Sequence, residues 1–139
     1  MTRLTLAEAR ARYPGAETFT FGDSKALSDQ LLELVRSGAK TATCGAMREF
    51  EEEGAALPVP GRQDIALEWD GRPALLIETL DVEQRRFREV DAAFALAEGE
   101  NDGLEGWRDA HRRYFERNGG WDPEMLLVCE RFRMVVDFA

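Results

Sequence analysis

The sequence predicts an α+β domain in which four or five strands form a small mixed barrel or curved sheet, with helices inserted between the strands. Segments of helical periodicity alternate along the chain with short runs of residues that favour strands. Asp70-Gly71 lies between two such runs and is the strongest hairpin signal in the chain. Because 139 residues can bury a substantial core, we expect one domain, residues 1–139.

The N-terminal half is predicted to hold three helices and two short strands. Pro14-Gly15 stops the first helix. The second has an apolar face that recurs at i, i+4, i+7 and i+8 from Leu27, with Asp23 or Ser24 as its N-cap and Gly38 just past its end. The other predicted elements of this half are a helix over 5–13, an extended piece over 18–21, a strand over 40–44 and a helix over 47–53 that ends at Gly54.

The C-terminal half begins with a loop at 57–61, because its two prolines fix φ and remove hydrogen-bond donors. Alternation is lost between Ile77 and Leu80, which predicts a bend or bulge within a long strand. Asp91 is a predicted helix N-cap, and Gly99 breaks that helix. The predicted elements are a strand over 64–69, a strand over 74–79 continuing towards 87, helices over 91–97 and 104–118, and a strand over 125–138.

The charge balance argues against long nucleic acids. The chain has 18 basic and 27 acidic residues and a net charge of −9, so double-stranded DNA is not an expected partner. Two arginine groups, within 85–88 and 108–117, make a local basic face conceivable. Pairs such as Asp109 and Arg113 at i,i+4 favour an ordinary solvated surface instead.

Cofactor and membrane signals are few. Two cysteines and one histidine are too few for a closed zinc site, and the sequence predicts no metal or cofactor. Its apolar runs are too short to cross a bilayer, and the N-terminal segment lacks the apolar core of a signal peptide. We therefore expect a cytoplasmic protein with no membrane partner.

Segment 37–43, Ser-Gly-Ala-Lys-Thr-Ala-Thr, places a lysine and two threonines where the second helix gives way to a strand. In or just after a tight turn, Lys40 can be directed back over the sheet, which makes this junction a candidate site. The alternative is a solvated lysine beside ordinary strand threonines.

Three segments together resemble the ASCH domain, a family with a PUA-like β-barrel fold. They are Gly38 to Thr43, Ala97 to Glu100, and Trp107 to His111 followed by Tyr114-Phe115. The Phe21-to-Ser24 opening and the loop at 57–61 are similar to the bacterial, single-domain branch of the family.

The resemblance implies a cleft between the lysine-bearing turn and the inserted helices, proposed in the family to bind RNA or a nucleoside-like ligand. Some small members are amidohydrolases that remove acyl groups from N-acetylated cytidine with a Lys-x-x-Thr pair and a glutamate. Carried over by motif, the catalytic residues would be Lys40, Thr43 and either Glu98 or Glu100, with Glu100 the better fit. This chain has longer insertions than those members.

Amide hydrolysis would use Thr43 as nucleophile and Lys40 as base. The pKa of a lysine, about 10.4 in solution, would then have to fall to near neutrality, at a cost of roughly 4 kcal/mol. A nearby Glu100 acts in the opposite direction and makes Lys40 a better anchor than base. Residues i and i+3 of a regular strand also face opposite sides, so Lys40 and Thr43 converge only if Lys40 lies in the turn or a bulge intervenes.

The predicted ligand-binding residues are Thr41, Glu98, Trp107, His111 and Tyr114. Trp107 and Tyr114 could stack on a base, although aromatic residues at helical spacing are more often core. His111, on the same stripe, is either a cleft-lining or core histidine or a catalytic one.

Three functional hypotheses follow. The leading one is binding of a nucleoside-like small molecule or a short single-stranded RNA beside Lys40. The second is hydrolysis of N-acylated cytidine-type nucleosides. The third is a non-catalytic domain whose acidic surface docks a basic protein.

Overall fold

The computed structural model describes residues 3–139, so the first two residues of the predicted domain lie outside the described part. In chain order the elements are α1 (Leu6–Arg12), β1 (Glu17–Phe19), α2 (Lys25–Ser37), β2 (Ala42–Ala46), α3 (Met47–Glu53), β3 (Gln63–Leu67), β4 (Pro73–Arg86), a 3-10 turn (Phe87–Glu89), α4 (Ala92–Ala97), α5 (Leu104–Arg117) and β5 (Leu126–Asp137). The predicted α+β class is confirmed.

The five strands described form one mixed sheet in the order β1-β3-β4-β5-β2. β1 pairs with β3 in parallel, and the other three pairings are antiparallel. The pairing of β4 with β5 shifts register between Leu76 and Ile77 and again between Thr79 and Asp81. Such irregularities bend and twist a ladder, and the sheet forms a half-barrel.

Local signals account for most element boundaries. Ser24, one of the two predicted N-caps, accepts a hydrogen bond from the Leu27 amide, and Gly38 ends α2 in the left-handed conformation at φ +85°. The predicted bulge within β4 is present, and the Asp70-Gly71 segment joins β3 to β4. The predicted strand at 40–44 begins later, at Ala42, which leaves Lys40 in the turn.

The two faces of the sheet bury different helices. Leu75 and Ile77 of β4 pack with α2, whereas Leu76, between them, packs in the cluster that includes Ala9 of α1. This division follows from the alternation of side chains along a strand. A third cluster joins α4 and α5 to β2 and β5 around Trp107, and it forms the floor of the site described below.

No helix within residues 3–139 combines the length and the apolar character needed to span a membrane.

Candidate functional site

Lys40 lies between the end of α2 and the start of β2, and its side chain points inward. Its amide donates to the Leu34 carbonyl at 3.0 Å, which continues the helix-terminating turn at Gly38. Since Lys40 precedes the strand, strand alternation does not determine its direction. Only 2% of the residue is exposed.

The carboxylates reach Lys40 because the α4 terminus packs tightly against this turn. The Thr41 amide donates to the Ala97 carbonyl at 2.7 Å. Gly99 has a φ of +76°, and a Cβ at this position would lie 2.3 Å from the Ala39 carbonyl oxygen. Glycine is therefore required both by backbone conformation and by the approach of a neighbouring backbone. It allows Glu98 and Glu100 to converge on one lysine.

The Lys40 ammonium is held by both glutamates. Its Nζ lies 3.2 Å from Glu98 Oε1, 3.1 Å from Glu100 Oε2 and 3.4 Å from the Glu98 carbonyl oxygen. Burial alone would lower the pKa of Lys40, but the two carboxylates outweigh it and raise the pKa above its ordinary value. Burial would likewise raise the pKa of Glu98, but Lys40, His111 and Trp107 lower it to about 2. The pair is thus an ammonium and a carboxylate, and Lys40 is not poised as a base.

Trp107 and His111 of α5 complete the surroundings of Glu98. Trp107 Nε1 donates to Glu98 Oε2 at 2.6 Å, and its ring, which is fully buried, stacks on the imidazole with 4.2 Å between centroids. His111 Nδ1 lies 2.9 Å from the Trp107 carbonyl oxygen, while Nε2 lies 3.4 Å from Glu98 Oε2. Burial lowers the pKa of His111, but Glu98 and Glu100 outweigh it, so the net shift is upward.

These groups line a cavity of about 160 Å³. Lys40, Thr43, Glu98, Glu100, His111 and Tyr114 all contribute to its wall. Lys40 and Thr43 therefore line the same cavity, which is the arrangement that the Lys-x-x-Thr motif needs if both side chains are to act on one ligand.

A larger cavity of about 470 Å³ adjoins the first and shares part of its wall. The shared residues are Phe21, Gly22, Thr43, Cys44 and Tyr114. Its lining is acidic: the carboxylates are Glu17, Glu49, Glu53, Asp64 and Glu130. The cation on its wall is Arg62, which is paired with Asp64 at 3.0 Å.

Two predicted ligand-binding residues lie elsewhere. Thr41 is exposed and lines neither cavity. Its hydroxyl donates to the Ala97 carbonyl at 3.4 Å. Trp107 is part of the core and reaches the site only through its indole N–H, which rules out stacking of its ring on a ligand in this conformation.

Sequence reasoning missed Cys44 as a wall residue and did not foresee the acidic cavity. The Sγ of Cys44 lies in a group with Glu98 and His111 whose candidate ligand atoms are all within 4.8 Å of one another. The alternation of β2 could not have indicated Cys44, because adjacent residues of a regular strand point to opposite faces and Thr43 was the residue assigned to the site. Arginine pairs such as Arg88 with Glu124 and Arg113 with Asp109 leave the suggested basic face largely neutralised.

Comparison with known proteins gives the same fold. Protein EF3133 from Enterococcus faecalis V583, described under family-model DUF984, is 35% identical with a TM-score of 0.80, covering 88% of this chain and 78% of that one. The ASCH domain from Lactobacillus crispatus JV V101 is 29% identical with a TM-score of 0.80, covering 92% of this chain and 84% of that one. None of the curated proteins compared with the chain matches it.

The sequence model of the ASCH domain matches residues 17–136, which is most of the chain. The predicted PUA-like architecture is confirmed by the similarity to the Lactobacillus domain. The chain therefore belongs to the ASCH domain family.

Proposed function

We propose that the protein binds a nucleoside-type ligand in the paired cavities beside Lys40. The observation that carries this proposal is the convergence of a fixed ammonium, a carboxylate and a hydroxyl, from Lys40, Glu100 and Thr43, on one small cavity. Pockets that hold small molecules combine such polar groups with apolar and aromatic walls, here Phe21 and Tyr114.

The polar groups match the edge of a base. A glutamate can accept from an exocyclic amino group such as N4 of cytosine, and a threonine hydroxyl can donate to a ring carbonyl, whereas the three N–H groups of Lys40 are already directed at Glu98 and Glu100. The ion pair leaves the second oxygen of Glu100 without a hydrogen-bond partner among residues 3–139. Because Glu98 is buried and bonded through both oxygens, Glu100 is the acid we assign to the ligand.

Charge favours an uncharged ligand over an RNA strand. The larger cavity carries five carboxylates against Arg62, and Arg62 is already paired. A phosphodiester would be repelled there, whereas a neutral nucleoside would not. Short single-stranded RNA is the alternative occupant, and the titration below separates the two.

The test is a calorimetric titration with cytidine, cytidine monophosphate and a short single-stranded RNA. We expect cytidine to bind more tightly than its monophosphate or the RNA, and Thr43→Val to weaken it. Thr41→Val is the matched control, since Thr41 lies outside both cavities. No binding of any probe at millimolar concentration by folded protein would refute the proposal, and tighter binding of the RNA would assign the cleft to RNA.

A second candidate function is hydrolysis of an N-acylated cytidine-type nucleoside. It is favoured by the shared cavity of Lys40, Thr43 and Glu100. The ion pairs of Lys40 change the roles from those expected: the ammonium would stabilise the developing oxyanion, and a carboxylate, Glu100, would accept the Thr43 proton. The Thr43 oxygen would bond to the acyl carbon, the C–N bond would break with the proton passing to nitrogen, and water would then hydrolyse the ester.

Turnover of N4-acetylcytidine, followed by chromatography, tests this second function. Thr43→Val should abolish it, while Thr43→Ser, which keeps a hydroxyl, and Thr41→Val should retain it. Turnover that survives Thr43→Val would exclude the mechanism, and cytidine binding without turnover would leave the protein a binding domain.

A further inference from the structure

In its neutral form, the imidazole of His111 presents a lone pair to a carboxylate. Nδ1 lies 2.9 Å from the Trp107 carbonyl oxygen, and since a carbonyl only accepts, Nδ1 carries the proton. Nε2 is then an unprotonated acceptor that faces Glu98 Oε2 at 3.4 Å. Two acceptors in this arrangement need a cation or a proton between them.

The thiol of Cys44 lies at the same point. Cys44, Glu98 and His111 offer Sγ, a carboxylate oxygen and Nε2 within 4.8 Å of one another, and all three line the smaller cavity. On a tetrahedral Zn²⁺ with ligand distances of about 2.0–2.3 Å, neighbouring ligands are about 3.3–3.6 Å apart. The Nε2 to Oε2 separation already fits, and small side-chain movements bring Sγ into range.

We propose that Cys44, Glu98 and His111 form a three-ligand site for a single Zn²⁺ ion, with the fourth position open to the cavity. This arrangement is typical of catalytic rather than closed structural zinc sites.

Hydrogen bonds from Trp107 and Lys40 already orient His111 and Glu98. The Trp107 carbonyl fixes the tautomer of His111, as a backbone carbonyl does for many metal-binding histidines. The Trp107 indole holds Glu98 Oε2, and Lys40 holds Oε1, so the lysine is bonded to the oxygen that faces away from the ion. The second lone pair of Oε2 is left for the metal.

Charge also favours an added cation. With neutral His111, one ammonium faces two carboxylates, and the cluster of Lys40, Glu98 and Glu100 carries one net negative charge. Zn²⁺ adds two positive charges, and Cys44 binds as a thiolate whose proton passes to solvent. The filled cluster is then neutral. The competing way to satisfy the two facing acceptors, His111 Nε2 and Glu98 Oε2, is a proton on His111 that is shared with Glu98.

The test uses Zn²⁺ and Co²⁺ on the metal-free protein near pH 8, independently of nucleoside binding. We expect one equivalent of either ion to bind, with a thiolate-to-cobalt charge-transfer band. Cys44→Ser should remove the band and weaken Zn²⁺ binding by roughly 100-fold or more, since loss of a residue that only orients a metal ligand through a hydrogen bond already costs about 10–100-fold. His111→Gln should weaken binding comparably.

Cys129→Ser is the matched control. Cys129 is buried directly opposite Cys44 on β5 and lies outside the three-ligand group, so both the band and the affinity should persist. Failure of folded protein to bind Zn²⁺ at micromolar concentration would overturn the proposal and leave a proton between His111 and Glu98. Binding that is unchanged in Cys44→Ser and His111→Gln would also overturn it.

Discussion

Gly99→Ala is expected to separate the carboxylates from Lys40. Gly99 adopts φ +76°, and an added Cβ would lie 2.3 Å from the Ala39 carbonyl oxygen and 3.0 Å from the Cα of Lys40. The obstructing atoms belong to backbone, so no side-chain rotation relieves the contact. The α4 terminus must therefore move away from the lysine turn.

The magnitude follows from two contributions. A left-handed conformation costs an alanine about 1–2 kcal/mol, and forcing an extra carbon into a packed site costs about 1–3 kcal/mol. We expect Gly99→Ala to lower the free energy of unfolding by about 2–5 kcal/mol. The shift also loosens the hydrogen bond from Thr41 to Ala97, so ligand affinity should fall as well.

Gly54→Ala separates the energetic cost of the left-handed conformation from the cost of the steric clash. Gly54 has a φ of +64° at the end of α3, and a Cβ there would meet nothing within 4 Å. Only the conformational cost of about 1–2 kcal/mol should remain, with cytidine binding unchanged. Urea denaturation and calorimetry measure both effects. Equal destabilisation by the two variants, with equal ligand affinity, would refute the assignment of Gly99 to the close approach.

Three further changes test the surroundings of the site. Lys40→Met leaves Glu98 buried without its cation and should lower the free energy of unfolding by about 3–5 kcal/mol. A Lys40→Met/Glu98→Gln double variant should restore much of that loss, and a loss near zero for Lys40→Met in urea denaturation would contradict this prediction. Trp107→Phe removes a hydrogen bond to a charged group and should cost about 1.5–3 kcal/mol from that bond, more than Trp121→Phe, whose buried indole N–H has no partner among the described residues. Burial raises the pKa of Glu130 above its ordinary value of 4.5, so the folded state binds the carboxyl proton more tightly than the unfolded state does. The contribution of Glu130 to the free energy of unfolding therefore falls as the pH rises from about 4.5 through the raised pKa. Glu130→Gln should accordingly raise the melting temperature at pH 7 but not at pH 4, and a gain of the same size at both would contradict the shift.

Features encoded within a few residues were predictable. Ser24 as N-cap, Gly38 as helix terminator and Asp70-Gly71 as hairpin each depend on local backbone preferences. The register shifts in β4 also left a local trace, the lost alternation between Ile77 and Leu80.

Features that depend on how distant segments meet were not predictable. Glu98 and Glu100 flank the same glycine and look equivalent in the sequence. The approach of Ala39 to Gly99 accompanies an almost complete burial of Glu98 and leaves Glu100 partly exposed, although both line the smaller cavity. The stripe on α5 likewise identified a face, but whether a residue there meets core, as Trp107 does, or cavity, as His111 does, depends on the sheet beneath.

The different surroundings of Glu98 and Glu100 limit the chemistry that the site can perform. Glu98 is bonded to Lys40 and Trp107 and carries a strongly lowered pKa, so it stays a carboxylate through the physiological range and supplies fixed charge. Glu100 has one oxygen on Lys40 and is partly exposed at the cavity. Because Lys40 is held as an ammonium by both, it cannot accept a proton from Thr43, which leaves Glu100, the His111 imidazole or a ligand atom to receive it. In the function that we propose, these fixed charges orient the polar edge of a base, and hydrolysis would require a group other than the lysine, such as Glu100, to receive the proton.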